Sequence, residues 1–289
     1  MKRLITFLVG CFSLFLLSPF VAEAGIGVTG GLNRERVVEI GKTYTGAIIV
    51  KNPAKEPQGV KVYQTDWLFF CDGKNIYGKP GEDVRSNAKW ITFTPAQLTI
   101  PPEGTAMINY IITVPTVIVP TVIAPDTAVP DGKPPVGTYW SSMMIEGSST
   151  GSLETAPAGE NKVSANIVQN IRYNVRIVTH IGDTGSRALK FLNTDLIRQS
   201  EKRILRVDIE NIGERALLSR LWLELYNKEG ANMGKFEGKT SYTFPGTSVR
   251  FGIDLSEVPE GEYQALIVAD CGKDDVFGMT YTLKLKDKE

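Results

Sequence analysis

Histidine and cysteine are scarce in this 289-residue sequence, which contains one histidine and three cysteines. A catalytic triad or a cluster of metal-binding side chains therefore has little to be built from. His180 ends a strand-like run and is accompanied by neither a GxSxG turn nor a reactive-cysteine motif, so we interpret it as a surface or junction residue. Cys71 and Cys271 form neither a disulfide framework nor a metal pattern, and their redox state stays open.

The sequence also lacks an excess of charge of either sign, because 32 basic residues balance 32 acidic ones. This balance argues against a nucleic-acid binder and against a basic protein of the membrane surface. No phosphate-binding loop is found, and no pair of carboxylates stands out, so we expect neither an enzyme nor a cofactor or metal. The acidic turn at 72–83 does not have EF-hand spacing and is predicted to be a hairpin loop.

A long apolar run occurs only at the start of the chain, in MKRLITFLVGCFSLFLLSPFVAEA. We predict an export signal over residues 1–24 that is cleaved before Gly25, because two basic residues are followed by an apolar run and by the small residues Ala22 and Ala24. The segment LVGC resembles a lipoprotein box at Cys11, but the apolar run continues past it, so acylation is the lesser alternative. No integral membrane segment is expected after cleavage.

Short β-branched and aromatic runs separated by Gly, Pro and Asn make up most of the remaining sequence. This pattern predicts an all-β fold of immunoglobulin-like sandwiches, with about seven strands in the first one. Besides the opening stretch, the candidate strands are 43–51, 59–67, 90–100, 105–114, 137–146, 163–180, 187–197, 203–210, 216–227, 247–255, 262–270 and 276–286.

Three segments of the first half are echoed in the same order in the second half. IIVKN (48–52) corresponds to VDIEN, PPEGTAMINYIITVP to FPGTSVRFGIDLSEVP, and VGTYWSSMMI to EGEYQALIVA. An internal repeat of this size predicts two tandem sandwiches. We place the domains at 25–181 and 182–289, with the boundary in the Gly-rich stretch HIGDTGS.

The opening strand, GLNRERVVEI, has two arginines on its more apolar face. In an extended chain Arg34 and Arg36 share a face with Val38, although an unpaired guanidinium in a core costs several kcal/mol. The other unusual strand is 163–180, whose length and alternation suggest an edge that could be offered to another protein. It follows a polar segment, 147–162, that we expect to be mobile, while 114–137 is Pro-rich and predicted to be a surface loop.

The first half resembles the periplasmic pilus-assembly chaperones, the PapD-like family. LNRERVV (32–38) is similar to the family's opening strand, IIVKNP to its second strand, and IRYNVR (171–176) to the end of its last N-domain strand. The resemblance implies two immunoglobulin-like domains set at an angle. It weakens beyond about residue 182.

This resemblance implies a periplasmic chaperone that binds an exported pilus or surface-fibre subunit by β-strand addition. Arg36 and Arg172 would anchor the subunit's C-terminal carboxylate, as an arginine fork can grip it in two places. Val163, Ala165 and Ile167 would enter the subunit's unfinished sandwich. Whether an outer-membrane usher is a second partner stays open.

The alternative is an immunoglobulin-like protein of the cell envelope that is not a chaperone and binds a surface polymer or another envelope protein. Exposed aromatic side chains on one face would favour it, and the candidates are Trp67, Trp90, Trp140 and Trp222. Core packing is the more usual role of tryptophan in such sandwiches.

Overall fold

A computed structural model of the chain describes residues 25–118, 132–149 and 171–286. The predicted signal (1–24) and Val163, Ala165 and Ile167 lie outside these residues. The first ten strands are β1 (Gly27–Thr29), β2 (Asn33–Val38), β3 (Thr43–Lys51), β4 (Gln58–Phe69), β5 (Asn75–Gly78), β6 (Ile91–Thr94), β7 (Gln97–Ile100), β8 (Thr105–Thr113), β9 (Gly137–Ser149) and β10 (Arg172–Ile181). The other seven are β11 (Leu189–Gln199), β12 (Lys202–Asn211), β13 (Leu217–Tyr226), β14 (Asn232–Thr243), β15 (Ser248–Asp254), β16 (Gly261–Asp270) and β17 (Val276–Leu285).

These strands form two β-sandwiches in tandem, as the sequence predicts. One sheet of the first sandwich has the order β1-β3-β8-β6, and the other has the order β2-β10-β9-β4-β5 with β7 also paired to β4. The second sandwich consists of a β11-β12-β15 sheet and a β14-β13-β16-β17 sheet. No strand up to β10 pairs with a later strand in the described residues. The described part of the chain contains no helix long and apolar enough to cross a membrane.

Alternating side chains build a separate core in each sandwich. On β3 and β8 every second residue is buried or partly buried, and Ile48, Val50 and Ile108 are fully enclosed between the sheets. Leu205, Val207 and other apolar residues do the same in the second sandwich. Burying such a side chain contributes about 1.5 to 3 kcal/mol relative to leaving it exposed, so these two cores account for most of the driving force for folding.

Three strand predictions were wrong in detail, and the first concerns β5 (Asn75–Gly78), which lies inside the segment 72–83 that was predicted to be a loop. The predicted strand 90–100 is interrupted at Pro95, which has no N–H to donate, and consists of the end of a 3₁₀ turn (Ala88–Trp90) followed by β6 and β7. Strand β14 was missed. Its sequence, NMGKFEGKTSYT, is rich in Gly and Lys, which are usual on an edge strand such as this one.

The chain changes sheets between β1 and β2. Strand β1 pairs antiparallel with β3 in one sheet, and β2 pairs parallel with β10 in the other. Gly30 and Gly31, both at φ +79°, make the crossing possible because glycine has no Cβ to oppose a positive φ. Arg34 donates hydrogen bonds to the carbonyl oxygens of Thr29 and Gly30, so its side chain fastens this crossing.

The internal repeat has an atomic counterpart in two buried asparagines. Asn52 donates from Nδ2 to the carbonyl oxygen of Glu56 (2.8 Å), four residues on, and its Oδ1 accepts the N–H of Ala54 (3.0 Å). Asn211 does the same with Arg215 (2.7 Å) and Gly213 (2.9 Å). Each asparagine therefore fixes the turn that follows the corresponding strand, β3 or β12, of its sandwich.

Candidate binding site along the last strand of the first sandwich

Strand β10 has one edge that is only partly covered. Strand β9 pairs with its whole length, but β2 begins to pair at Asn33, opposite Arg176. The Arg176 N–H donates to the carbonyl oxygen of Leu32 (2.8 Å), whereas the Ile171 carbonyl accepts from Gly147 on the β9 side (3.0 Å). Because backbone groups alternate along a strand, those of Arg172 and Asn174 point to the same edge as those of Arg176. No described strand pairs with that edge at 172–175.

The two faces of β10 have different chemistry. Tyr173, Val175 and Ile177 face the core of the first sandwich, and Tyr173 Oη donates to the carbonyl oxygen of Ile26 (2.8 Å). The other face, which we call the outer face, is largely polar and points partly toward the second sandwich. It carries Arg172, Asn174, Arg176, Val178 and His180.

Arg36 lies at the rim of the sandwich on the core side. It is opposite Thr179 in the parallel β2–β10 register, on the same face as the buried Val38. Its guanidinium carbon is 5.5 Å from the centre of the Tyr44 ring, a cation–π contact. The exposed Arg36 side chain forms no ion pair within the described residues, so it need not bear the cost of an unpaired charge in a core. This position resolves why a basic residue alternates with Val38.

A small cavity adjoins Arg36 and is also lined by Arg34, Glu35, Thr45 and Tyr110. Burial raises the pKa of Tyr110, and the two nearby arginines oppose that shift because they favour the phenolate. Two arginines and one carboxylate line this cavity, so the charged side chains around it leave a small excess of positive charge.

Arg172 lies elsewhere, on the outer face, and already has an internal partner. Its Nη2 is 3.1 Å from Glu146 Oε2, and Tyr63 Oη donates to the same oxygen (3.2 Å). The hydrogen bond from Arg172 is the main cause of a lowered pKa at Glu146. An external carboxylate would have to compete with Glu146 for Arg172.

The structure does not bring Arg36 and Arg172 together. Paired residues in a sheet share a face, so Arg36 lies with Thr179 on the core side while Arg172 lies on the outer face. Arg172 also precedes Thr179 by seven residues, which corresponds to about 23 Å along the strand. One carboxylate cannot contact both guanidinium groups in this arrangement.

A third arginine, Arg176, was overlooked at the sequence level. Its guanidinium carbon lies 4.9 Å from the centre of the Trp67 ring and 5.0 Å from that of Phe244, a residue of the second sandwich. The Nε atom is buried and has no hydrogen-bond partner among the described residues, and burial lowers the pKa of Arg176, with Glu35 opposing the shift. Alternation did place Arg176 on the same face as Arg172, but no sequence signal linked it to Phe244.

Contacts between the sandwiches surround Arg176. Trp140 and Val178 of the first sandwich pack with Ala216 and Phe244 of the second in a small apolar cluster. Arg85 Nη2 forms an ion pair with Glu214 Oε1 (3.0 Å). The outer face of β10 thus lies against the domain junction at its C-terminal half and extends away from it toward Arg172.

The four tryptophans do not form an exposed aromatic face. Trp140 is buried, and Trp90 packs on Tyr139 with 4.6 Å between ring centres. Trp67 is half-buried beside Arg176, and the half-buried Trp222 is covered by the Lys235 ammonium at 4.1 Å. These four tryptophans therefore do not provide the exposed aromatic face that would favour binding of a surface polymer.

No protein-family model and no curated relative matches the chain. Solved structures that are similar to it include a chaperone–tip adhesin complex of CFA/I fimbriae biogenesis, with 12% identity over 89% of this chain and 98% of that one and a TM-score of 0.46. The class 5 fimbriae chaperone CfaA has 13% identity over 90% and 99%, with a TM-score of 0.44. The E. coli chaperone DraB has 14% identity over 90% and 96%, with a TM-score of 0.38. At these identities and TM-scores, the similarity does not indicate what this chain binds.

Proposed function

We propose that this chain is a periplasmic chaperone that binds exported pilus or surface-fibre subunits by β-strand addition. The observation that supports this function is the open edge of β10, where the backbone groups of Arg172 and Asn174 point away from β9. An added strand gains affinity from main-chain hydrogen bonds and specificity from alternate side chains. Tyr173 and Val175 begin an apolar row that Val163, Ala165 and Ile167 would continue on the predicted part of the strand.

The subunit carboxylate would be anchored by one basic site and not by a pair. Arg36 offers an exposed guanidinium without an internal acid, and Arg172 is available only in competition with Glu146. Arg176 is a further candidate at the domain junction, where its Nε has no partner in the part of the chain that the structure describes. A charge-assisted hydrogen bond to a carboxylate contributes about 1.5 to 3 kcal/mol, or roughly 10-fold to 100-fold in affinity.

Strand addition is tested with the substitution Asn174→Pro. Proline removes an N–H that points to the open edge and leaves the bonds to β9 in place, whereas Asn174→Ala keeps that N–H and serves as the matched control. The chain is co-expressed with a pilus or surface-fibre subunit encoded by a neighbouring gene, and capture is measured by pull-down. We expect capture to fall at least tenfold with proline and little with alanine. Equal capture by both variants, with unchanged melting temperatures, would refute strand addition at this edge.

Anchoring is tested with Arg36→Ala, Arg172→Ala and Arg176→Ala, using Arg220→Ala on an exposed position of β13 as the control. The readout is the ratio of affinities for the subunit with its free C-terminal carboxylate and for the same subunit with one residue added. An anchor variant should bring this ratio close to one, and the control should leave it unchanged. If none of the three variants changes the ratio, carboxylate anchoring is rejected while strand addition can still stand.

A further inference from the structure

His180, the only histidine in the chain, sits at the junction of the two sandwiches. It lies on the outer face of β10, and its side chain is 11% exposed. Its Nδ1 is 2.9 Å from Thr138 Oγ1 on β9, and its Nε2 is 3.8 Å from Glu35 Oε2 on β2. The second sandwich meets both neighbours of this imidazole. The Ala216 N–H donates to Thr138 Oγ1 (2.9 Å), and Tyr242 Oη donates to Glu35 Oε2 (3.1 Å).

We assign the proton positions of the neutral ring from the groups that face its two nitrogens. A carboxylate can only accept, so the nitrogen that faces Glu35, Nε2, carries the hydrogen. Nδ1 is then an acceptor for the Thr138 hydroxyl, whose own oxygen accepts the Ala216 N–H. Thr138 is fully buried, so no water is at hand to take over either bond. His180, Thr138 and Ala216 thus form a chain of hydrogen bonds from the first sandwich to the backbone of the second, which we call the Thr138 relay.

We propose that His180 is an acid sensor of the domain junction, because a second proton on its imidazole disrupts the Thr138 relay that holds Ala216. With Nδ1 protonated, the ring and Ala216 would both donate to Thr138 Oγ1, and the hydroxyl hydrogen would lose its acceptor inside a buried site. An unsatisfied buried polar group is unfavourable, so the contact between the sandwiches would loosen. This inference concerns the junction and is independent of what the chain binds.

The charges around His180 set the direction of its titration. Glu35 on β2 favours the protonated ring, and Tyr242 on β14 holds that carboxylate in place. Arg215, which precedes β13, opposes protonation, and Arg176 lies four residues away on the same strand. Burial and then Arg215 lower the pKa of His180 from its ordinary value of 6.5, and Glu35 only partly opposes them. As the pH falls, the imidazole of the unfolded chain is therefore protonated before that of the folded chain. The free energy of unfolding decreases from pH 6.5 down to the pKa of His180 in the folded chain.

The test is an NMR titration of the purified chain, in which the single histidine gives an unambiguous imidazole signal. We expect a midpoint below 6.5 and a shift of the Ala216 amide signal with the same midpoint. Glu35→Gln should lower the midpoint further, and Thr138→Val should leave the imidazole titrating while the Ala216 amide no longer follows it. A midpoint at or above 6.5, or an Ala216 amide that ignores it in the unsubstituted chain, would overturn the proposal.

Melting temperatures provide a second readout. Between about pH 7.5 and about pH 5.5, where an ordinary histidine titrates, the unsubstituted chain should lose more thermal stability than His180→Gln, whose side chain does not titrate. Carboxylates elsewhere affect both proteins alike, so the difference isolates the imidazole. Equal losses in the two proteins would contradict a sensor at this position.

Discussion

The two sandwiches differ at one pair of corresponding cross-strand positions. In the first sandwich Ile49 on β3 pairs with Met107 on β8. In the second, Asp208 on β12 pairs with Arg250 on β15. The apolar pair is exposed, at 38% and 52%, whereas Arg250 grips the buried Asp208 with two hydrogen bonds of 2.7 and 2.6 Å. The same strand pairing thus supports opposite surface chemistry. A shared framework fixes where side chains meet and leaves open what they are.

The last strands differ in the same way. Among the described strands, β17 lies at the edge of its sheet and pairs only with β16, and its outward side chains include Thr280, Thr282 and Lys284. Strand β10 lies between β9 and the shorter β2 and carries two arginines and the histidine on its outer face. In our proposal the first sandwich therefore carries the binding site, and the second contributes Ala216 and Phe244 to the junction.

The largest effect is expected from the two buried asparagines. Asn52→Ala and Asn211→Ala should each destabilise by about 3 kcal/mol, because each leaves several buried backbone groups without a partner. The measurement is urea unfolding followed by amide exchange, which reports each sandwich separately. Asn109→Ala, at an exposed position of β8, is the control and should change little. Losses of very different size would show that the two turns are not equivalent.

The second prediction concerns a pair of facing residues whose side-chain volumes differ between the two sandwiches. Gly46 faces Tyr110 across β3 and β8, where the second sandwich has Leu205 facing Ile253. A Cβ on Gly46 would overlap the Tyr110 ring, so Gly46→Ala should cost about 2 kcal/mol. Exchanging the whole pair, with Gly46→Leu and Tyr110→Ile together, should recover much of that loss in thermal unfolding. No recovery in the double variant would mean that the two cores are packed by different rules.

The third prediction removes the charge from the ion pair of the second sandwich. Asp208→Asn keeps the side-chain shape but loses a charge-assisted contact with Arg250, and should destabilise by about 1.5 kcal/mol. Urea unfolding at low and high salt measures the loss. The loss should shrink at high salt, because Arg250 is partly exposed and screened. A loss that does not depend on salt would point to shape rather than charge.

The smallest effect is expected when the ion pair is transplanted. Ile49→Asp combined with Met107→Arg places opposite charges at an exposed cross-strand pair, and the stability should change by less than about 1 kcal/mol. Thermal unfolding of the double variant and of each single variant measures the coupling. A large gain would show that the apolar pair is retained in the first sandwich despite a more stable alternative.

The sequence predicted the framework well because burial repeats along each strand. The boundaries of β3 were predicted correctly from the alternation in TYTGAIIVK, and the three echoes lie on corresponding strands of the two sandwiches. The register of one echo is also kept, since the Asn52 and Asn211 N–H groups donate to Gly104 and Thr247, which both stand fourth in the paired segments PPEGTAMINYIITVP and FPGTSVRFGIDLSEVP. Edge strand β14 was missed because Gly234 and Gly238 occupy two of its partly buried alternate positions and leave a weak periodic signal.

The site was harder to predict, because a pattern gives faces within one strand and not between strands. Alternation correctly grouped Arg36 with Val38 and Arg172 with Arg176, but only the parallel register of β2 and β10 places these groups on opposite faces. The contact of Arg176 with Phe244 joins residues 68 positions apart, in different sandwiches. No local signal in either segment could have indicated it.

The change of sheets at Gly30 and Gly31 has a mechanical consequence. A force that pulls Gly25 away from the second sandwich would draw β2 by its first residue and β10 by its last. Because these strands run parallel, that force would strain their hydrogen bonds together in shear and would not unzip them one at a time. The pairing of β2 with β10 would therefore resist a pulling force applied along the chain.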